Sequence, residues 1–326
     1  MTQFRVMTWN VQNLFEVGVE GGPERQVDFD AKIASLAAVI DRTEPHVLAV
    51  QEVGTAPALS ALQDALNHNM RFSALGVADE RGIRVGFLST KKLREQINVR
   101  AFPPGLLPIQ VGDDPDGPDG PRIMNQMGRG ALQATVRANG HDVRIVNCHL
   151  KSKLLTFPGG RFNARNEDER ARYSAYALYR RTSEATTVRA HATAQLGGQG
   201  SQQPLLVVGD MNDEVDAATT QILNGPPGSE IGTTGFERPD NGDGQRLWNL
   251  APLIPETERF SRIYRGRPEL IDHLFASHFL VDANRVVEVG SFTANEQPLP
   301  SIDDNPSTEV GRPGSDHAAV MATFDF

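Results

Sequence analysis

Residues 205–213 read LLVVGDMND, an unbroken apolar run that leads directly into Asp210 and Asn212. Continuous rather than alternating apolar residues are typical of a strand that is covered on both faces, as in α/β proteins. Other apolar runs also adjoin polar residues: Phe4–Val11 at Asn10, Val47–Val50 before Glu52, Val143–Asn147 before His149, Leu270 and Ile271 before Asp272, and Ala318–Phe324 after Asp316 and His317. Strand ends in α/β sheets converge on clefts, so we expect these polar side chains to meet in one cleft.

Helical patterns lie between the apolar runs. Apolar spacing predicts helices over Phe29–Ile40, with Asp28 as N-cap, over Ala58–Leu66, and from about Glu167 to Leu196, where Gly197 provides a stop. Further strands are predicted over Ile83–Leu88 and Ala131–Val136, and loops over 102–122 and 225–244. Strands alternating with helices indicate an α/β fold, and the absence of a repeat or linker predicts one domain over 1–326.

Composition excludes several classes of protein. The chain has 326 residues, of which 39% are hydrophobic, and a net charge of −9, which argues against disorder and against a uniformly basic nucleic-acid coat. A locally basic cleft remains compatible with this charge. Cys148 is the single cysteine, so a disulfide framework is excluded. The sequence shows no secretory signal and no apolar stretch of about 20 residues, so we expect no membrane insertion and a cytoplasmic protein, or a secreted one if a signal peptide was removed.

The chemistry of the polar residues points to phosphate-ester cleavage. Hard oxygen donors, which suit Mg²⁺ or Mn²⁺, are offered by Asn10, Glu52, Asp210, Asn212 and Asp316. His149 and His317, which neighbour such carboxylates, suit proton transfer or a hydrogen bond to a phosphoryl oxygen. A hard metal, imidazoles and nearby basic residues together favour a site that splits a phosphate ester.

Six segments carry a resemblance to a known family. They are TWNVQNL (8–14), VLAVQEV (47–53), VNCHLKSK (146–153), VVGDMND (207–213), ELIDHLFAS (269–277) and GSDHAAV (314–320). In this order they resemble the endonuclease/exonuclease/phosphatase superfamily, and in particular its deoxyribonuclease-like members. The resemblance implies a four-layer α/β sandwich, with two packed mixed sheets flanked by helices. It also implies a Mg²⁺- or Mn²⁺-dependent phosphodiesterase, which we interpret as a nuclease with DNA or RNA as its substrate.

The resemblance also implies a role for each matching residue. Asn10, Glu52 and Asp316 match the principal metal site, and Asp210 and Asn212 match the pair that positions the attacking water and binds the scissile phosphate. His317 would bind phosphoryl oxygens or assist proton transfer, and His149 matches a strand-end histidine. Asp272 resembles the acid that hydrogen-bonds an active-site histidine, with His149 and His317 both open as its partner. Arg129 resembles a phosphate-binding arginine.

Other interpretations stay open. The family's cleft tyrosine has no counterpart in the matched segments, which leaves its role vacant or taken by another group such as Arg81 or Arg84. Lys151 and Lys153 are candidate substrate-binding residues. The basic stretch 161–181 is either a nucleic-acid surface or a helix with many ion pairs. Cys148 should face the core if His149 faces the cleft, because adjacent strand residues alternate.

Two further function classes remain as alternatives. One keeps the chemistry and changes the substrate: a phosphatase or a phospholipid or inositol-phosphate hydrolase. The other is a non-catalytic binding protein that has kept the fold.

Overall fold

The structure is a computed structural model that describes residues 3–113, 120–282, 285–293, 298–303 and 313–326. The helices are α1 (Gln26–Thr43), α2 (Ala56–Asp64), α3 (Glu167–Leu196), α4 (Ala218–Leu223) and α5 (His278–Val281). The strands are β1 (Phe4–Leu14), β2 (Val47–Val53), β3 (Phe72–Leu75), β4 (Arg84–Ser89), β5 (Arg94–Ala101), β6 (Ile109–Gly112), β7 (Arg122–Met124), β8 (Gln126–Ala138), β9 (His141–His149), β10 (Leu205–Asp210), β11 (Leu247–Asn249), β12 (Arg262–Tyr264), β13 (Arg267–Glu269), β14 (Asp272–Ser277), β15 (Val286–Phe292), β16 (Ser301–Ile302) and β17 (Ala319–Phe324).

Two six-stranded mixed sheets form the centre of the molecule. Their strand orders are β15-β17-β1-β2-β4-β3 and β11-β14-β10-β9-β8-β5. Each sheet has one parallel pair in its middle, β1 with β2 and β9 with β10, and its other pairings are antiparallel. The carboxyl ends of each parallel pair therefore lie at one edge of the sheet, beside the amino end of an antiparallel neighbour.

Three apolar clusters define four layers. The central cluster joins the inner faces of both sheets, with side chains such as Phe87 and Val208. A second cluster packs α1 and α2 on the first sheet, and a third packs α3 on the second sheet. The predicted four-layer α/β sandwich is confirmed. Among the helices of the described residues, none has the length and apolar character that crossing a bilayer requires.

The sequence predicts most elements correctly, and the differences have local causes. Helix α1 starts at Gln26, and Asp28 lies in its first turn, where it accepts hydrogen bonds from the Arg25 guanidinium instead of capping the helix. Helix α2 is capped by Thr55, whose hydroxyl accepts from Ala58 N. Helix α3 ends as predicted at Gly197, which adopts a left-handed conformation.

Two further sequence predictions need correction. The segment 102–122 contains a hairpin of β6 and β7 in its described part, while 114–119 lie outside the described residues. Leu270 and Ile271 are not a strand that ends at Asp272, because β14 begins at Asp272. Since β14 runs antiparallel to β10, this amino end still lies beside the carboxyl end of β10.

A buried polar bridge links the two sheets next to the strand ends. Gln51 Nε2 of β2 donates to Asn147 Oδ1 of β9 at 2.7 Å. Asn147 Nδ2 in turn donates to the carbonyl oxygens of Val50 at 3.0 Å and Gly86 at 2.7 Å. Both side chains are fully buried, and Gln51 Nε2 also donates to Thr8 Oγ1 at 3.0 Å, so the polar groups of the bridge satisfy one another in a dry interior. The bridge fixes the position of β2 relative to β9. Gln51 is one residue before Glu52, and Asn147 is two residues before His149.

Replacing Asn147 should destabilise the fold strongly. Asn147→Ala leaves the Val50 and Gly86 carbonyl groups and the Gln51 amide without these partners in a dry interior, which should cost about 3 kcal/mol in the free energy of unfolding. Urea denaturation measures this loss. The exposed Asn69→Ala is the control and should change stability by less than about 0.5 kcal/mol. Equal stability of the two variants would contradict the bridging role.

Candidate active site

The polar residues predicted at the strand ends meet in one cleft. Residues of both sheets line a cavity of about 650 Å³: Asn10, Glu52, Arg129, His149, Lys153, Asp210, Asn212, Asp316 and His317. Within the second sheet, Asp210 is the register partner of His149 on one side and of Asp272 on the other. Residues paired in register project from the same face, so these three side chains form a row across adjacent strands.

Bulges aim the first sheet's residues into the cleft. The β1–β2 register shifts between Asn10 and Leu14, and the β2–β4 register shifts between Val50 and Val53. At this break Glu52 has a φ of +64°, and Asn212, in the turn that follows β10 of the other sheet, has a φ of +52°. Left-handed backbone at a non-glycine residue carries strain, which proteins tend to place at functional sites. Here it turns a carboxylate and a carboxamide toward the same cavity.

Asp210 contacts groups from both sheets. Its Oδ2 accepts from Asn10 Nδ2 at 3.0 Å and lies 3.4 Å from His149 Nε2, while its Oδ1 accepts from Asn212 N at 2.8 Å. Burial, reinforced by the negative charge of Asp272, raises the pKa of Asp210 to about 7. The carboxyl group therefore exchanges its proton close to neutral pH. Asn212 Nδ2 donates to Leu150 O at 3.0 Å, which fixes the turn after β10.

Asp272 pairs with His317 and not with His149. The sequence had left both histidines open as its partner. The distance from His317 Nδ1 to Asp272 Oδ2 is 2.6 Å, and both side chains are buried. Burial opposes protonation of the imidazole, but Asp272 and Asp316 outweigh it and raise the pKa of His317 to about 10. His317 is therefore an imidazolium at neutral pH, with Asp272 fixing its ring.

His149 has the opposite character. Its Nε2 lies 3.4 Å from Asp210 Oδ2 and 3.9 Å from Glu52 Oε1. Burial, with the positive charges of Arg129 and His317, lowers the pKa of His149 well below its usual value, so the ring is neutral. Its neighbour Cys148 is buried in the cluster under α3, with Sγ 3.6 Å from Val208 O. The expected core position of Cys148 is confirmed, and burial raises the pKa of its thiol.

Two sets of side chains at the cleft have metal-binding chemistry, although Asp272 of the second set is fully buried behind His317 and does not line the cavity. One is Asn10, Glu52 and Asp316, as expected from the sequence; burial and the charge of Glu52 raise the pKa of Asp316, with His317 and Lys32 acting against the rise. The other is Asp210, Asp272 and His317, whose ligand atoms lie within 4.8 Å of one another. A dication would relieve the repulsion between the buried carboxylate of Asp316 and the partly exposed carboxylate of Glu52, and the hard oxygens of this set fit Mg²⁺ or Mn²⁺. In the second set, Asp272 and His317 already bind each other.

Asp79 is a site residue that sequence reasoning missed. Its Oδ1 accepts from the backbone N–H groups of Arg81 and Ile83, each at 2.9 Å, and its Oδ2 accepts from Arg129 Nε at 3.0 Å. One carboxylate thus fixes the loop that carries Arg81 and also orients Arg129, and both arginines line the cleft. An Asp three residues before Gly82 is an ordinary turn signal in the sequence, so only its contact with Arg129 reveals the role.

Arg84 and Lys151 do not line the cleft. The Arg84 guanidinium donates to Gly54 O and to Gly82 O, so of the two arginines considered for the vacant tyrosine role only Arg81 lines the cavity. The Lys151 ammonium turns back to the carbonyl oxygens of Ser152 at 2.9 Å and Leu154 at 2.7 Å. Lys153 lines the cleft, 3.0 Å from Asp213 Oδ1. The sequence could not separate the two lysines, because the chain leaves the strand before Lys151.

The basic stretch 161–181 is rich in ion pairs. Its paired arginines are Arg161 with Glu169, Arg170 with Glu167, Arg172 with Asp113, Arg180 with Glu184, and Arg181 with Asp213. This agrees with a helix face that carries many ion pairs. Of these arginines, Arg170 also lines the cleft.

The cleft wall also includes residues outside the motif segments. Arg262 and Tyr264 of β12, in the small sheet β13-β12-β16, line it, as do Arg265 of the turn after β12 and Phe162. Tyr264 is thus a cleft tyrosine that the six segments did not locate. Its place depends on the packing of β12 beside Asp316 and His317, shown by the bridge between Arg262 and His317, and such packing leaves no local sequence signal.

Comparison with known families agrees with this geometry. The model of the Endonuclease/Exonuclease/phosphatase family matches residues 7–317. The chain belongs to this family. Membership supports metal-dependent hydrolysis of phosphodiester bonds in general, and it confirms the resemblance that the six segments carry. No curated protein matches the sequence.

Solved structures show the same fold at low sequence identity. Truncated TDP2 from Caenorhabditis elegans aligns with a TM-score of 0.54 and 13% identity over 99% of this chain and 98% of that chain. TDP2 from D. rerio, complexed with a single-strand DNA product, gives 0.55 and 14% over 100% of both chains. A family protein from Bacteroides thetaiotaomicron gives 0.55 and 14% over 100% of this chain and 99% of that chain.

Asp79→Ala should weaken phosphate binding in the cleft. The variant loses the acceptor that orients Arg129 and fixes the turn of Arg81, so the affinity for inorganic phosphate should fall about tenfold by isothermal titration. Asp41→Ala is the matched control, because Asp41 accepts the backbone N–H groups of Asn67 and His68 in a loop that does not line the cleft. Similar affinities for phosphate in both variants would show that Asp79 does not organise the site.

Proposed function

We propose that this protein is a Mg²⁺- or Mn²⁺-dependent phosphodiesterase that cleaves nucleic acid, DNA or RNA, with residues 1–326 as one catalytic domain. The observation that carries the proposal is the meeting of strand ends from both sheets in one cleft. There, buried carboxylates, a charged imidazole and a neutral imidazole lie beside arginines. This is the group set that in-line hydrolysis of a phosphodiester needs.

A polyanionic substrate is favoured by the basic residues of the cleft. Arg81, Arg129, Lys153, Arg262 and Arg265 line it, although the chain as a whole carries a net charge of −9. Basic groups concentrated in one cleft attract a phosphate backbone even when the net charge is negative. The D. rerio relative with its single-strand DNA product has the same fold, which makes a nucleic-acid substrate a reasonable choice for this chain.

Asp210 and Asn212 are assigned to the attacking water. The pKa of Asp210, raised by burial to about 7, suits a general base that accepts a proton from water near neutral pH. Asn10 and the backbone of Asn212 hold its two oxygens, so the base is fixed before substrate arrives. Glu52, Asp316 and Asn10 would hold the metal ion, which supplies Lewis-acid stabilisation of charge on the phosphate oxygens.

His317 and His149 are assigned to the phosphate. The imidazolium of His317, oriented by Asp272, can donate a charged hydrogen bond to a phosphoryl oxygen as negative charge develops there. Neutral His149 and the guanidinium of Arg129 line the same cavity and can add further donors. No covalent enzyme intermediate is assigned, and the thiol of Cys148 faces the core.

The substrate class is tested by product analysis. We expect wild-type protein with Mg²⁺ or Mn²⁺ to cut end-labelled single- or double-stranded DNA or RNA, and EDTA to abolish the products. Inositol phosphates and sphingomyelin are the parallel substrates. Turnover of these alone would favour the phosphatase or phospholipid alternative, and no turnover of any substrate would favour a binding protein.

Removing the charge of either Glu52 or Asp210 should lower activity severely without unfolding the protein. We expect Glu52→Gln and Asp210→Asn each to lower kcat/KM by about 10²- to 10⁴-fold. The unfolding temperature should stay near that of wild type, since Glu52 is partly exposed and an ionised carboxylate buried as deeply as that of Asp210 is itself unfavourable. Glu256→Gln, at an exposed position, is the control. Wild-type kcat/KM in either site variant would refute the assignment.

Metal binding should be visible without any substrate. At a concentration about 100 times the dissociation constant, Mn²⁺ should stabilise wild-type protein by about 2.7 kcal/mol, seen as a higher unfolding temperature. Glu52→Gln should lose this shift, whereas Glu256→Gln should keep it. An equal shift in Glu52→Gln would place the ion elsewhere.

A further inference from the structure

The cleft contains an exposed aromatic ring that the chemistry of hydrolysis does not use. Phe162 is 53% exposed and lines the same cavity as Asp316 and His317. Single exposed apolar residues are common on protein surfaces, so exposure alone has no meaning. Two features distinguish Phe162: it lies in the wall of the candidate active-site cleft, and hydrogen bonds fix the backbone of its loop.

The backbone on both sides of Phe162 is fixed by polar and aromatic contacts. Phe157 N donates to Arg161 O at 2.9 Å, and the Arg161 guanidinium donates to Asn163 O at 2.8 Å and to Glu169 Oε1 at 2.7 Å. The ring of Phe157, buried below, packs on Tyr173 with a centroid distance of 4.9 Å. A ring presented on a fixed loop loses little conformational freedom when it binds a ligand.

Another part of the cleft wall combines an aromatic ring with cations. The guanidinium carbons of Arg262 and Arg265 lie 5.3 and 5.4 Å from the centroid of Tyr264. Glu269 Oε2 holds Arg262 at 2.6 Å, so this group is also fixed. The cavity thus offers an exposed ring on one segment and two guanidinium groups on another, with the site of hydrolysis in the same space.

This combination matches the two halves of a nucleotide. A planar base stacks on an aromatic ring, and the phosphates beside it bind guanidinium groups. Apolar side chains of Leu154, Leu155 and Ala164 line the cleft near Phe162 in sequence and extend the apolar side. An acyl chain would need a continuous apolar groove instead, whereas here the wall is mixed.

We propose that Phe162 forms a nucleobase subsite, in which its ring stacks on one unpaired base beside the scissile phosphate. The inference rests on the proposed nuclease function and deepens it. A base inside a duplex has both faces covered by its neighbours, so stacking on Phe162 requires a single strand, a frayed end or an extruded nucleotide. The enzyme should therefore prefer single-stranded over double-stranded substrate of the same sequence.

The test combines a protein variant with a substrate variant. Wild-type protein and Phe162→Ala are assayed with Mn²⁺ on a single-stranded oligonucleotide and on copies in which an abasic nucleotide replaces each position near the cut in turn. For wild type, kcat/KM should fall about tenfold at one abasic position. Phe162→Ala should lose about tenfold on the complete oligonucleotide and show no further loss at that position. Phe162→Trp should restore both the rate and the sensitivity.

Tyr179→Ala is the matched control, since Tyr179 is an aromatic residue of similar exposure, 52%, outside the cleft. It should behave as wild type on every substrate. The subsite is overturned if Phe162→Ala keeps the full abasic sensitivity of wild type, or if Tyr179→Ala loses as much rate as Phe162→Ala. If wild-type protein cleaves no oligonucleotide, the nuclease function itself fails and the subsite fails with it.

Discussion

The site depends on how two sheets are held against each other at one edge. The proposed chemistry requires side chains of β1 and β2 to face those of β9 and β10 in one relative position, yet the two sheets share mainly apolar contacts, which are not directional. The buried hydrogen bonds of Gln51 and Asn147 are directional, and they fix the position of one sheet relative to the other. Because any sliding of the sheets would break bonds in a dry interior, the bridge favours a single relative position.

Burial also sets the charges on which the proposed chemistry relies. His149, Asp210 and His317 lie within one cleft, yet burial lowers the pKa of His149 and raises that of Asp210, while the charges of Asp272 and Asp316 raise the pKa of His317 against the effect of its burial. Groups whose pKa values are pushed apart in this way can take different roles in one proton-transfer sequence. The rigid strand ends keep these environments different, which side chains on mobile loops would not achieve.

The sequence predicts the architecture and most of the cleft because both follow from local patterns. Buried strands appear as apolar runs, and Glu52, Asp210 and His317 adjoin such runs. The partner of Asp272 could not be chosen, since it depends on where β17 lies relative to β14. Lys151 was expected in the cleft, but the chain turns after β9 and directs its ammonium to backbone carbonyl groups. Asp79 contacts Arg129, 50 residues away, and Phe162 reaches the cleft wall only through the fold of its loop, and single-sequence patterns record neither.

The central claim is that Glu52 and Asp316 hold a hard dication at the edge where the two sheets meet. Anomalous diffraction from crystals grown with Mn²⁺ tests it most directly. The account predicts a peak about 2.1–2.2 Å from carboxylate oxygens of Glu52 and Asp316, with the Asp272–His317 hydrogen bond intact. A peak bound instead by Asp210, Asp272 and His317, with Glu52 out of reach, would contradict it.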